Sequence, residues 1–181
     1  MGLGNPGSRY EKTRHNVGHT VLGELARRWE MARARDRFRG RIADGRAGPG
    51  GPRVAVLQPQ TFMNESGDSV GPARGSLKVP LDRLVVLHDE IDLPFGEIQP
   101  RLGGGLAGHN GLRSVAAGVG GPDFWRLRIG VGRPESTDPD VVSAYVLGRF
   151  PEPEDEVGEL ISVAADEAER LVASLAEREA A

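Results

Sequence analysis

Short apolar runs alternate with stretches of helical spacing along this chain, and that alternation most restricts what it can fold into. The runs at 54–57 and 84–87 are the length of buried strands. Residues 124–131 set Arg126 and Arg128 between apolar neighbours, as a further strand would. Between them, residues 15–31 place Val17, Val21, Leu22, Leu25 and Trp29 on one helical face. The segments 61–75 and about 110–119 read as further helices. Residues 35–43 carry arginines in alternation with Asp36, Phe38, Gly40 and Ile42, the pattern of one half-buried strand. A turn at 93–96 introduces a strand near 97–101. Strands interleaved with helices predict an α/β fold, a sheet layered with helices.

At 181 residues the expectation is a single domain over 1–181, closed by an acidic amphipathic helix at about 152–178. A chain of this size buries enough surface to need no staple. It has no cysteine, which excludes disulfides, thiolate metal sites and a cysteine nucleophile. No apolar run approaches the ~20 residues of a membrane helix. The first residues also lack a charged-then-apolar leader pattern, so the expected address is cytoplasmic, with no membrane partner. The net charge of −3 conceals an asymmetry. Residues 151–181 hold ten acids and two arginines, whereas residues 1–150 hold 21 bases against 16 acids. All but two of the 23 basic residues are arginine. A solvated arginine surface and a nucleic-acid surface both fit that composition.

Several motifs carry candidate chemistry. GLGNPG at 2–7 matches a dinucleotide fingerprint in letters only, because no strand precedes it; a glycine turn exposing Asn5 suits it better. GGGLAGHNG at 103–111 is a glycine loop running into a helix. It lacks the lysine of a nucleotide P-loop, and it reads either as a phosphate or ribose contact or as a connection capped by Asn110. The cluster His88, Asp89, Glu90, Asp92 invites a metal. Successive strand side chains point to opposite faces, however, so one carboxylate orienting a histidine is the more economical use, and no metal or other cofactor is expected. His15, Asp89 and several carboxamides (Asn5, Asn64, Asn110) stand where strands end, the usual place of a site in an open α/β sheet. No G-x-S-x-G elbow supplies a serine, so water activated by a histidine is the expected nucleophile.

Taken in order, GLGNPG (2–7), Tyr10, TRHNVG (13–18), QPQTFMNESG (58–67), HDEIDLPFG (88–96), GGGLAGHNGLRS (103–114) and FWRLRIGVGRP (124–134) resemble the bacterial peptidyl-tRNA hydrolases. The likeness covers residues 2 to about 150, and YVLGRF (145–150) with the terminal helix matches the family's end. It implies a mixed twisted sheet flanked by helices on both faces. It also implies hydrolysis of the ester joining peptide to tRNA, without a cofactor, by a monomer. His15 resembles the general base, Asp89 the carboxylate that holds it, and Asn5 the residue that recognises the peptide. Tyr10, Phe62, Asn64 and Asn110 resemble residues that hold the tRNA end. Arg101, Arg113, Arg126, Arg128 and Arg133 fall where the family meets tRNA phosphates. Two departures stand out. Met1 abuts Gly2 where the family has several apolar residues, so the first strand is expected to be truncated and Asn5 to lose its anchor. Gln99 replaces a residue that is often basic. An RNA-binding relative without turnover is the alternative function.

Overall fold

The computed structural model describes residues 1–180, with side chains through Arg178. Helix α1 (Val17–Arg28) is followed by β1 (Arg35–Arg37), β2 (Gly40–Arg46) and β3 (Arg53–Pro59), then by helix α2 (Gly67–Leu77). Strands β4 (Val85–Glu90) and β5 (Ile98–Leu102) precede α3 (Asn110–Val119), β6 (Trp125–Gly130), α4 (Pro139–Val146) and the long α5 (Glu154–Ala180). Strands β1, β2 and β3 form an antiparallel sheet in that order. In the second sheet β6 lies centrally, parallel to β4 and antiparallel to β5, so the pairing is mixed as expected.

Residues 1–3 join the two sheets. The amide of Gly2 donates to the carbonyl of Leu57 on β3. Toward β4, the Leu3 amide donates to Leu87 O (3.0 Å) and the Leu87 amide donates to Met1 O (2.9 Å). The first strand is reduced to this one bridge, Gly2 to Leu87. The Met1 amino group donates to Val85 O at 2.7 Å, and its burial lowers its pKa to about 5. Despite the short strand, Asn5 keeps its anchor, which corrects the expectation. Asn16 accepts from the Asn5 amide at 2.9 Å and donates back to the Asn5 carbonyl at 2.8 Å.

Helices cover both faces. On one side α1 and α5 pack Val21, Leu25, Ala164 and Ala168 against Leu87, Leu127 and Ile129. On the other, α2 and α3 pack Val70, Leu112 and Val115 against Leu3, Ile42, Val86 and Phe124. Helix α1 approaches residues 1–3 so closely that a Cβ on Gly18 would collide with the carbonyl of Leu87. Only glycine permits that approach, and it fixes the start of α1 over the sheet edge.

Two local expectations fail. Residues 35–43 are not one strand but two, reversed at Phe38 and Arg39, both with positive φ (56° and 50°). That geometry is a tight hairpin turn made by residues that rarely adopt it, so no glycine or asparagine announced it. Helix α4 has no counterpart in the sequence reading. It starts on Asp138, whose side chain accepts from the amide of Asp140 at 2.8 Å, with Pro139 in the first turn.

Candidate active site

A cleft of about 740 Å³ opens beyond the end of β4, bounded by the glycine loop, the 59–66 segment and α4. Asn5, His15, Phe62, Asn64, Asp89 and Asn110 all line it. His15 sits in a single 3-10 turn (Arg14–Asn16) that runs directly into α1. Its backbone is set from both sides. The Arg14 amide donates to Gly148 O at 3.0 Å, and Thr13 bridges to Arg149. The Arg14 guanidinium donates to Tyr145 O at 2.9 Å and lies 3.9 Å from the centroid of the Tyr145 ring.

Asp89 is buried at the end of β4 and receives two histidines. Nδ1 of His15 lies 2.8 Å from Oδ2, and Nε2 of His109 lies 2.8 Å from Oδ1. The protonation pattern follows from the other nitrogen of His109. Its Nδ1 accepts from the amides of Gly111 and Leu112 at the start of α3, so it carries no proton, and Nε2–H must donate to Asp89. His109 is therefore the cap of α3, in place of the expected Asn110, and sequence reasoning missed it. An imidazole directly before a helical segment was the available signal. The Asp89 carboxylate then accepts Nδ1–H of His15 on its other oxygen, which leaves Nε2 of His15 unprotonated and facing the cleft.

Electrostatics support that assignment. Burial alone would raise the Asp89 pKa, but the two imidazoles reverse this and hold it well below the usual carboxylate range. For His15, burial opposes protonation, yet the charge and hydrogen bond of Asp89 outweigh it and raise the pKa. His88, behind them on β4, is different. It is wholly buried with Nδ1 on the carbonyl of Asp89, and desolvation lowers its pKa to about 3. It is a neutral core histidine.

His15, Asp89 and His109 offer ligand atoms within 4.8 Å of one another, close enough to consider a cation. A metal on Nε2 of His109 would need that nitrogen's lone pair. The proton would then have to move to Nδ1 and displace both capping amides. The donor set is built for hydrogen bonds rather than for coordination.

The remaining candidates divide. Asn5 is buried and its Oδ1 accepts from the amide of Met63 at 2.7 Å, so only its Nδ2 is left to donate. Asn64 is exposed in the 3-10 turn Met63–Glu65. Phe62 is 54% exposed on the rim and meets Tyr10 edge-on, centroids 6.5 Å apart. Asn110 is exposed, its Oδ1 taken by Arg113 at 2.5 Å. Arg101 is exposed, with its guanidinium against Gly104. Arg128 is partly committed, to Glu90 at 2.9 Å and to Gln99. Arg126 is a correction: it is buried and donates to the carbonyls of Gly103 and Gly105, so it shapes the glycine loop and cannot reach a phosphate.

An imidazole held by a buried carboxylate at the floor of a polar cleft, on an α/β sheet, is the arrangement of a hydrolase that activates water. The family model for peptidyl-tRNA hydrolase matches residues 1–181, and the chain belongs to that family. The peptidyl-tRNA hydrolase of Methylorubrum populi is 47% identical over 174 residues, covering 96% of this chain and 80% of that one. That of Geobacillus kaustophilus is 44% identical over 173 residues, covering 95% and 91%. A crystal structure of peptidyl-tRNA hydrolase from Acinetobacter baumannii superposes with a TM-score of 0.84 at 38% identity, covering 99% of this chain and 89% of that one.

Proposed function

We propose that this chain hydrolyses the ester between a peptide and the 3′ ribose of tRNA, using water activated by Nε2 of His15. One observation carries the assignment of the base: Asp89 occupies Nδ1 of His15 and His109 occupies the second oxygen of Asp89, so a single imidazole nitrogen is free in the cleft. Water loses a proton to that nitrogen as its oxygen attacks the ester carbonyl carbon. Asp89 stabilises the imidazolium that forms. When the tetrahedral intermediate collapses, the C–O bond to ribose breaks and the ribose oxygen takes the proton from His15. Asn5 donates through Nδ2 to a peptide carbonyl, an interaction that free aminoacyl-tRNA lacks. Asn64 orients the water, Tyr10 and Phe62 stack on the exposed tRNA end, and Arg101 with the remaining N–H donors of Arg128 meets phosphate. We take it to act as a single-domain monomer over residues 1–181 in the cytoplasm, where translation supplies its substrate.

The test is cleavage of an N-blocked aminoacyl-tRNA with EDTA present and His15→Ala alongside. Cleavage that survives EDTA and disappears in the variant supports the reading. Bound but uncleaved tRNA would instead favour a non-catalytic RNA-binding protein.

A further inference from the structure

The basic excess of the first 150 residues does not reside on the rim just described. Residues 84–134, which hold the glycine loop and all five arginines assigned there, contain five carboxylates as well and are neutral. Residues 33–53 contain seven arginines against two aspartates, a surplus of five, which equals the whole excess of residues 1–150. Arg33, Arg35, Arg37, Arg39, Arg41, Arg46 and Arg53 are all exposed on β1, β2, β3 and their margins. Arg35 pairs with Asp44 and Arg39 with Asp68. The other five have no carboxylate within 4.0 Å among the described residues.

The hairpin end of this sheet approaches the cleft, and Arg46 and Arg53 stand at its far end. The carbonyl of Arg39, in the hairpin turn, accepts from the amide of Gln60 at 2.9 Å, two residues before Phe62 on the rim. The hairpin turn thus lies next to the segment that carries Phe62, while the neutral glycine-loop rim borders the cleft on the other side. Arginine without lysine suits a polymer of phosphates, since each planar fork can take two oxygens. Arg46 and Arg53 stand directly opposite each other on one face of the sheet, where like charges repel unless an anion lies across them, and Arg41 projects from the other face.

We infer that the arginine-covered sheet β1–β3 is a second RNA-binding surface, which grips the phosphodiester backbone of the substrate's tRNA on the Phe62 side of the cleft. The inference rests on the peptidyl-tRNA reading. Neutralising the five unpaired arginines as R33Q/R37Q/R41Q/R46Q/R53Q leaves the cleft residues untouched.

The experiment measures binding of deacylated tRNA over a salt series, and cleavage of two substrates: full N-blocked aminoacyl-tRNA and an N-blocked aminoacyl ester of a CCA trinucleotide. The expected result is tRNA affinity at least tenfold weaker at low salt. The log–log salt slope should become shallower by about 0.9 for each phosphate that the variant no longer neutralises. Cleavage of the trinucleotide ester should stay within twofold of the unaltered protein. Unchanged affinity and slope overturn the inference. Failure to cleave the trinucleotide overturns it too, because the arginines would then act through the fold. A failure of the unaltered protein to cleave either ester sinks the hydrolase reading itself, a result separate from the variant's.

Discussion

Nε2 of His109 lies 2.8 Å from Oδ1 of Asp89, on the carboxylate oxygen that His15 leaves open. One side chain thereby caps a helix and completes the hydrogen bonding of the carboxylate that holds His15. The two duties can be separated. His109→Asn retains a capping side chain but does not reproduce the imidazole bond to Asp89, whereas His109→Ala removes both. The first variant should keep its stability to within about 1 kcal/mol while kcat falls roughly tenfold. The second should decline in both stability and rate. Thermal melts and kcat measured on the same preparations decide it; an equal drop in melting temperature for both variants would refute the split.

Removing His15, the proposed base, has a different signature. His15→Ala should lower kcat by about 10²–10⁴-fold, the usual contribution of a positioned general base, with little change in tRNA affinity. Single-turnover cleavage together with tRNA binding measures both quantities.

The charge of Asp89 raises the pKa of His15, so activity should fall with acidification through a midpoint above that of an ordinary imidazole. Asp89→Asn removes the raising influence. The acid limb should therefore move to lower pH even as the maximal rate drops. A kcat–pH profile showing the same midpoint in both proteins would disconnect Asp89 from the base.

Folding stability should fall on acidification for an independent reason. His88 and His19 are neutral when folded, with pKa values lowered by burial to about 3 and about 4. In the unfolded chain both take up a proton near pH 6.5. Stability is thus present above about pH 6.5 and declines toward the folded values, by about 1.4 kcal/mol per pH unit for each histidine. His88→Gln should flatten that decline in urea titrations between pH 6.5 and 5.

Asn5 offers a test of selectivity. Asn5→Asp keeps an acceptor for the amide of Met63 but removes the Nδ2 donor. Cleavage of N-blocked aminoacyl-tRNA should fall by at least tenfold, and the preference over unblocked aminoacyl-tRNA should shrink with it. An unchanged preference would assign peptide recognition elsewhere.

The layered fold and the pairing of His15 with Asp89 were legible in periodicity and in the ordered motifs. Periodicity located α1, β3, β4 and β6, and ordered motifs pointed to His15, Asp89 and Asn5. What stayed hidden depends on tertiary structure. Phe38 and Arg39 turn a hairpin without the usual turn residues, held there by the pairing of Arg35 with Ile42 and by the bond from Gln60. Arg126 looks like a surface cation in the one-dimensional pattern, yet carbonyls of a loop more than 20 residues away claim it. His109 announces itself only once α3 is seen to begin beside Asp89.

Arg14 and Thr13 reach across to residues 145–149, more than 130 positions later in the chain. Synthesis begins at the amino terminus, so His15 emerges from the ribosome long before the strap that holds its turn. The segment bearing His15 is pinned only after residues 145–149 have been made. A copy made only as far as residue 140 carries His15 without the partners that hold its turn.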